Sequence, residues 1–157
     1  ALLEEQSRTR EDDMMTTLLA LSLSAWASDG PTVGHYTDGD ARKTASGAAQ
    51  VWRIAGAPEG AKNAFFGVLE LAPGAKVPVH RDATEEYIYI LSGTGQMTID
   101  GVTSTVGPGT GVFMPANAEV SFIASDDGPV RAVQFFAGQG PEAKYDTWQP
   151  VTEKPGG

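Results

Sequence analysis

The sequence predicts an all-β domain, a sandwich or barrel of short antiparallel strands. Three observations carry this. From residue 49 onward apolar and polar residues alternate with period two, the signature of half-buried strands. Gly, Pro, Asn or Asp fills most gaps between the apolar runs, in a chain with 19 glycines and 10 prolines. No helix-period segment of useful length interrupts residues 49–137. At 157 residues the chain has room for one domain with a sizeable core.

Residues 1–48 read as an N-terminal extension. Residues 1–13 are polar and charged, and residues 14–25 (MMTTLLALSLSA) are largely apolar but too short to span a bilayer as a helix. Two readings of residues 12–27 stand side by side. In one, Met14, Leu18 and Leu21, with Met15 and Leu19, form the stripe of a helix whose N-terminus Asp12 or Asp13 favours. In the other, the segment is signal-like, with Ala25-Trp26-Ala27 as its small-residue exit, although Glu11-Asp12-Asp13 stands where positive charge is expected. The second reading implies a secreted or periplasmic protein, the first a cytoplasmic one. Residues 28–48 read as a polar linker or wrapping loop, with His35 as an exposed loop histidine.

Strands are expected at 50–55, 64–71, 77–80, 86–91, 95–100, 102–106, 111–114, 119–124 and 130–137. Asp100-Gly101 supplies a two-residue hairpin turn, since both positions tolerate positive φ, and Asp126-Asp127-Gly128-Pro129 a second turn. Eight or nine strands in about ninety residues imply a barrel or sandwich. The barrel domain is placed at residues 49–140 and a proline-punctuated tail, lying on its surface, at 141–157. Trp52 and Trp148 are expected as surface or interface aromatics.

Net charge is −9, the pI about 4.5, and no cluster of basic residues occurs. A nucleic-acid groove and an anionic membrane surface both require positive potential, so neither partner fits. The absence of cysteine excludes thiol catalysis, thiolate metal sites and disulfides.

One stretch concentrates the chemistry. Gly74, AKVPV, His80-Arg81-Asp82, ATE, Glu86, YIYILS and Gly93 follow one another with one of the two histidines at their centre. In spacing this resembles the first motif of the cupin superfamily: Gly, five residues, His-x-His, three or four residues, Glu, six residues, Gly. Asp82 stands at the second histidine. The family's second motif, Pro-x-Gly-x-x-His after a short strand, is similar to Pro115-Ala116-Asn117-Ala118-Glu119-Val120. There Asn117, which tolerates the left-handed conformation, replaces glycine, and Val120 stands at the ligand histidine. The resemblance covers residues 49–137 and implies a cupin-type jelly-roll β-barrel with a pocket inside it.

His80 and Asp82, two apart on an extended segment, share a face. If Glu86 points inward, Ile88 and Ile90 do too, and Tyr87, Tyr89 and Leu91 take the other face. Glu85 is then expected in solvent. An imidazole and two carboxylates converging at a barrel mouth form an oxygen-rich donor set suited to a divalent transition metal, Mn²⁺, Fe²⁺ or Zn²⁺. The alternative is a metal-free polar mouth in which His80 pairs with a carboxylate. Gln134, a polar residue in the apolar strand VRAVQFFA, marks a pocket contact or an edge position. Met97, Phe113, Val120 and Phe122 are expected in the core and pocket wall.

These readings give a single-domain cupin that binds a small polar molecule, with an altered or absent metal site. The alternative is a metal-dependent enzyme of isomerase, lyase or dioxygenase type using His80, Asp82 and Glu86, with His80 and Glu86 as catalytic residues. The resemblance also implies a homodimer formed through sheet faces.

Overall fold

The computed structural model describes residues 33–152; the segment 12–27, with its helix and signal readings, lies outside them. Every expected strand forms. The described residues hold eleven strands: β1 (Asp40–Lys43), β2 (Ala49–Ala55), β3 (Phe65–Leu71), β4 (Lys76–His80), β5 (Glu85–Ser92), β6 (Gly95–Ile99), β7 (Val102–Val106), β8 (Gly111–Met114), β9 (Val120–Ala124), β10 (Val130–Ala137) and β11 (Gln149–Pro150). They form a seven-stranded sheet in the order β11-β1-β2-β3-β10-β5-β8 and a four-stranded sheet in the order β4-β9-β6-β7. All pairings are antiparallel. The result is the expected all-β, cupin-type barrel.

The period-two pattern sorts side chains as expected. Along β5, Glu86, Ile88 and Ile90 are buried between the sheets while Glu85, Tyr87, Tyr89 and Leu91 are exposed. The main core joins both sheets: Leu71, Ile88 and Ile90 from the larger meet Met97, Val120 and Phe122 from the smaller. On the outer face, Phe66, Phe135, Tyr87 and Phe113 lie in register across β3, β10, β5 and β8. Asp100 and Gly101 take φ of 46° and 81° and close the β6–β7 hairpin, with Ile99 paired to Val102. Asn117 takes φ 63°, as the glycine-like position before β9 requires.

Two expected boundaries differ. The polar stretch before residue 49 supplies β1, which pairs with β2 as Arg42↔Val51. The segment after residue 140 is also integral. Pro141–Thr147 forms a 3₁₀ helix, and β11 then pairs with β1. Tyr145 is 2% exposed and packs with Val51, Phe65 and Phe136 in a second core cluster. Buried Arg53 ties these pieces to β2: its Nη1 lies 2.6 Å from Asp146 Oδ1 and 3.7 Å from Asp40 Oδ2. Trp52, expected at the surface, is buried, with Tyr36 packed edge-on against its ring. Tyr36 comes from the chain before β1, so that extra segment is what covers the indole.

Candidate functional site

Between the sheets lies a cavity of about 400 Å³, within the range of small-molecule sites. Its walls are apolar over most of their extent, with Ile88, Ile90 and Met114 on one side and Met97 and Phe122 on the other. Polar side chains enter at His80, Asp82, Glu86, Gln134, Lys144 and Tyr145.

Strand pairing places them. β4 ends at His80, and after a short turn Glu86 is the second residue of β5. Gln134 lies on β10 beside β5, where the register pairs Gln134 with Ile88 and Phe136 with Glu86. Lys144 and Tyr145 arrive on the C-terminal 3₁₀ helix.

The buried side chains form a relay of defined polarity. The Tyr145 hydroxyl donates to Gln134 Oε1 at 2.6 Å, and Gln134 Nε2 donates to Glu86 Oε1 at 2.7 Å. Burial raises the Glu86 carboxyl above the usual carboxylate range, and the Gln134 hydrogen bond only partly opposes it. Burial likewise pushes the Tyr145 hydroxyl far up, so it remains a donor.

His80 Nδ1 lies 2.9 Å from the Pro78 carbonyl oxygen. A carbonyl only accepts, so Nδ1 carries the proton, and Nε2 faces Asp82 Oδ2 at 3.6 Å. The Asp82 carboxylate raises the imidazole pKa, outweighing the effect of burial. For Asp82 burial acts upward, but His80 and the Lys144 ammonium together bring its pKa below the usual value. Lys144 Nζ donates to Asp82 Oδ2 at 3.1 Å and reaches Oδ1 at 3.4 Å. It also stands 4.8 Å from the centroid of the Phe136 ring, a cation–π position.

The three expected site residues therefore converge, with one ligand-type atom from each of His80, Asp82 and Glu86 within 4.8 Å of one another. Met97, Val120, Phe122 and Gln134 line the cavity. Phe113 does not. It is 51% exposed on the outer face against Tyr87, while its neighbour Met114 is buried in the wall. β8 pairs with β5 with Phe113 opposite Tyr87, so strand alternation carries it outward. Lys144 and Tyr145 are the residues sequence reasoning missed, and Trp148, expected as a surface or interface aromatic, is half-buried and lines the cavity. They share no period with the strands and sit in a proline-flanked segment that reads as a tail.

The donor spacing would suit a divalent metal, and each donor also has other contacts. The Lys144 ammonium already occupies both oxygens of Asp82. Val120 is paired with His80 across β4 and β9 and presents an apolar wall there. One oxygen of Glu86 is engaged by Gln134. As arranged, these contacts compete with a divalent ion for the same oxygens.

An antiparallel double sheet with a largely apolar internal cavity lined in part by an acid–imidazole cluster defines a β-barrel of cupin type. Residues 67–136 match the model of the cupin domain, and the fold is that of a cupin. Over 79 residues it is 32% identical to the dimethylsulfoniopropionate lyase DddW of Ruegeria pomeroyi, a match covering 49% of this chain and 52% of that protein. The chain thus spans about half the length of that relative. Among solved structures, the polyketide cyclase RemF from Streptomyces resistomycificus superposes with TM-score 0.63 at 23% identity, over 71% of this chain and 82% of that one. A structure of the dimethylsulfoniopropionate lyases RdDddP and RnDddQII does so with TM-score 0.55 at 19% identity, over 68% of this chain and 53% of the other. These structural likenesses attest the fold.

Proposed function

We propose that the barrel binds one small organic molecule, apolar along most of its length and polar at one end, and that the polar end meets His80 and Glu86. The observation that carries this reading is the cavity itself, about 400 Å³ with largely apolar walls and the His80, Asp82 and Glu86 side chains brought together in its lining. His80 Nε2 and Glu86 are the acid–base pair of the site. Glu86, raised by burial, holds or accepts a proton closer to neutral pH than an exposed carboxylate does. Tyr145 and Gln134 fix the carboxylate through their hydrogen bonds.

A second reading, an enzyme of lyase type, draws on the 32% identity to a dimethylsulfoniopropionate lyase. In it Glu86 or His80 removes a proton from a carbon of the bound molecule, and the electron pair forms a C=C bond as the leaving group on the adjacent carbon departs with its own pair. Assembly as a homodimer belongs to the same proposal, through the outer aromatic face where Tyr89 and Phe113 are exposed.

A thermal-shift screen of small organic acids, amines and thioether or sulfonium compounds tests the binding. A ligand at one hundred times its Kd stabilises the protein by about 2.7 kcal/mol. His80→Ala and Glu86→Gln are expected to fold and to lose the shift. A shift that persists in both variants removes the assignment, and product formation from any hit that both variants lose selects the lyase reading.

A further inference from the structure

We propose that Lys144 is the resident cation of this site, and that its ammonium keeps divalent metal out of the His80–Asp82–Glu86 donor set. The inference concerns the same cavity end as the reading above, but its test needs no organic ligand.

The ammonium is held from several sides. Its Nζ bonds both oxygens of Asp82, at 3.1 and 3.4 Å, and stands over the Phe136 ring at 4.8 Å. The Lys144 carbonyl accepts from Thr147 Oγ1 at 2.8 Å, which closes the short helix on itself. Immediately after Lys144 in the sequence, buried Tyr145 and the Arg53–Asp146 ion pair fasten that helix to the barrel. The lysine side chain, 36% exposed, is therefore directed to Asp82 and the Phe136 ring at the cavity.

The charges favour the same conclusion. Asp82 faces one imidazole and one ammonium. A divalent ion bound to Asp82 would lie against that ammonium and would have to displace it. Once displaced, the ammonium would lose its carboxylate partner while still anchored beside the ion. Val120 offers no donor in compensation. An internal ammonium thus does what a metal would otherwise do, neutralising the carboxylate nearest the imidazole.

Lys144→Met keeps the length and apolar stem of the side chain and removes the charge. Titration calorimetry of metal-stripped full-length chain with MnCl₂ and with ZnCl₂ is the test. We expect Lys144→Met to bind at least ten-fold more tightly than wild type, and Lys144→Met with Asp82→Asn to lose the gain. Lys144→Gln serves the same purpose should Lys144→Met not fold by circular dichroism. Equal affinities in wild type and the neutral variant overturn the proposal. So does a stoichiometric transition metal in wild type purified without added metal. Both outcomes leave the organic-ligand reading standing, because that reading is judged by the thermal-shift screen.

Discussion

Tyr145 joins the fold to the site, so replacing it tests both. Its ring is 2% exposed, with centroids 5.6 Å from Phe65 and 5.0 Å from Trp148. Its hydroxyl donates to Gln134 Oε1, and Gln134 is 3% exposed. Tyr145→Phe keeps the packing and orphans that buried oxygen, a loss of about 1–3 kcal/mol. Tyr145→Ala also empties the space of the ring, for about 3–5 kcal/mol in all. Urea unfolding followed by tryptophan fluorescence resolves these values. With a slope of about 2 kcal/mol/M, the midpoint falls by roughly 1 M for Tyr145→Phe and by roughly 2 M for Tyr145→Ala. Both variants within about 0.5 kcal/mol of wild type would mean that the segment after residue 140 is not packed into the barrel. The placement of Lys144 over the cavity would fall with it.

Two further predictions concern charge and assembly. Burial raises the folded pKa of Glu86 above its unfolded value. Its contribution is therefore fully present below about 4.5 and is lost as pH rises through the folded pKa. Glu86→Gln removes that dependence while keeping an acceptor for Gln134. The variant should match wild type near pH 4 and equal or exceed its Tm near pH 8, measured by thermal denaturation across that range. A variant less stable at pH 8 than at pH 4, relative to wild type, contradicts the assignment. Tyr89→Glu and Phe113→Glu place charge on the exposed outer face, so light scattering should report a dimer for wild type and a monomer for both variants. Unchanged mass would remove that face from the interface.

The strands were legible because each is buried on one face and exposed on the other. Alternation alone then placed Glu86, Ile88 and Ile90 inside and Tyr87 and Tyr89 outside. The turns were legible for a similar local reason, as at Asp100-Gly101. Phe113 was misplaced because β8 is short and its sequence, GVFM, is apolar on both faces. Only its pairing opposite Tyr87 decides which residue points inward. The C-terminal segment could not be read by period at all. Lys144 and Tyr145 reach the site through long-range contacts, the Arg53–Asp146 pair and packing on Phe65 and Phe136. Such contacts leave no local pattern. His80, Asp82 and Glu86 were found by spacing, yet what surrounds them changes their chemistry. In the donor set that reads as a metal site, Asp82 is paired with the Lys144 ammonium and faces the His80 imidazole.

The most direct test of that cluster is the ionisation of His80 itself. The chain has two histidines, so ring resonances followed through a pH titration, assigned with His35→Gln, isolate it. The Asp82 carboxylate, 3.6 Å from Nε2, should hold the His80 midpoint above the ordinary 6.5, and Asp82→Asn should bring it down. A His80 midpoint at or below 6.5 that ignores Asp82→Asn would contradict the cluster and the acid–base role built on it.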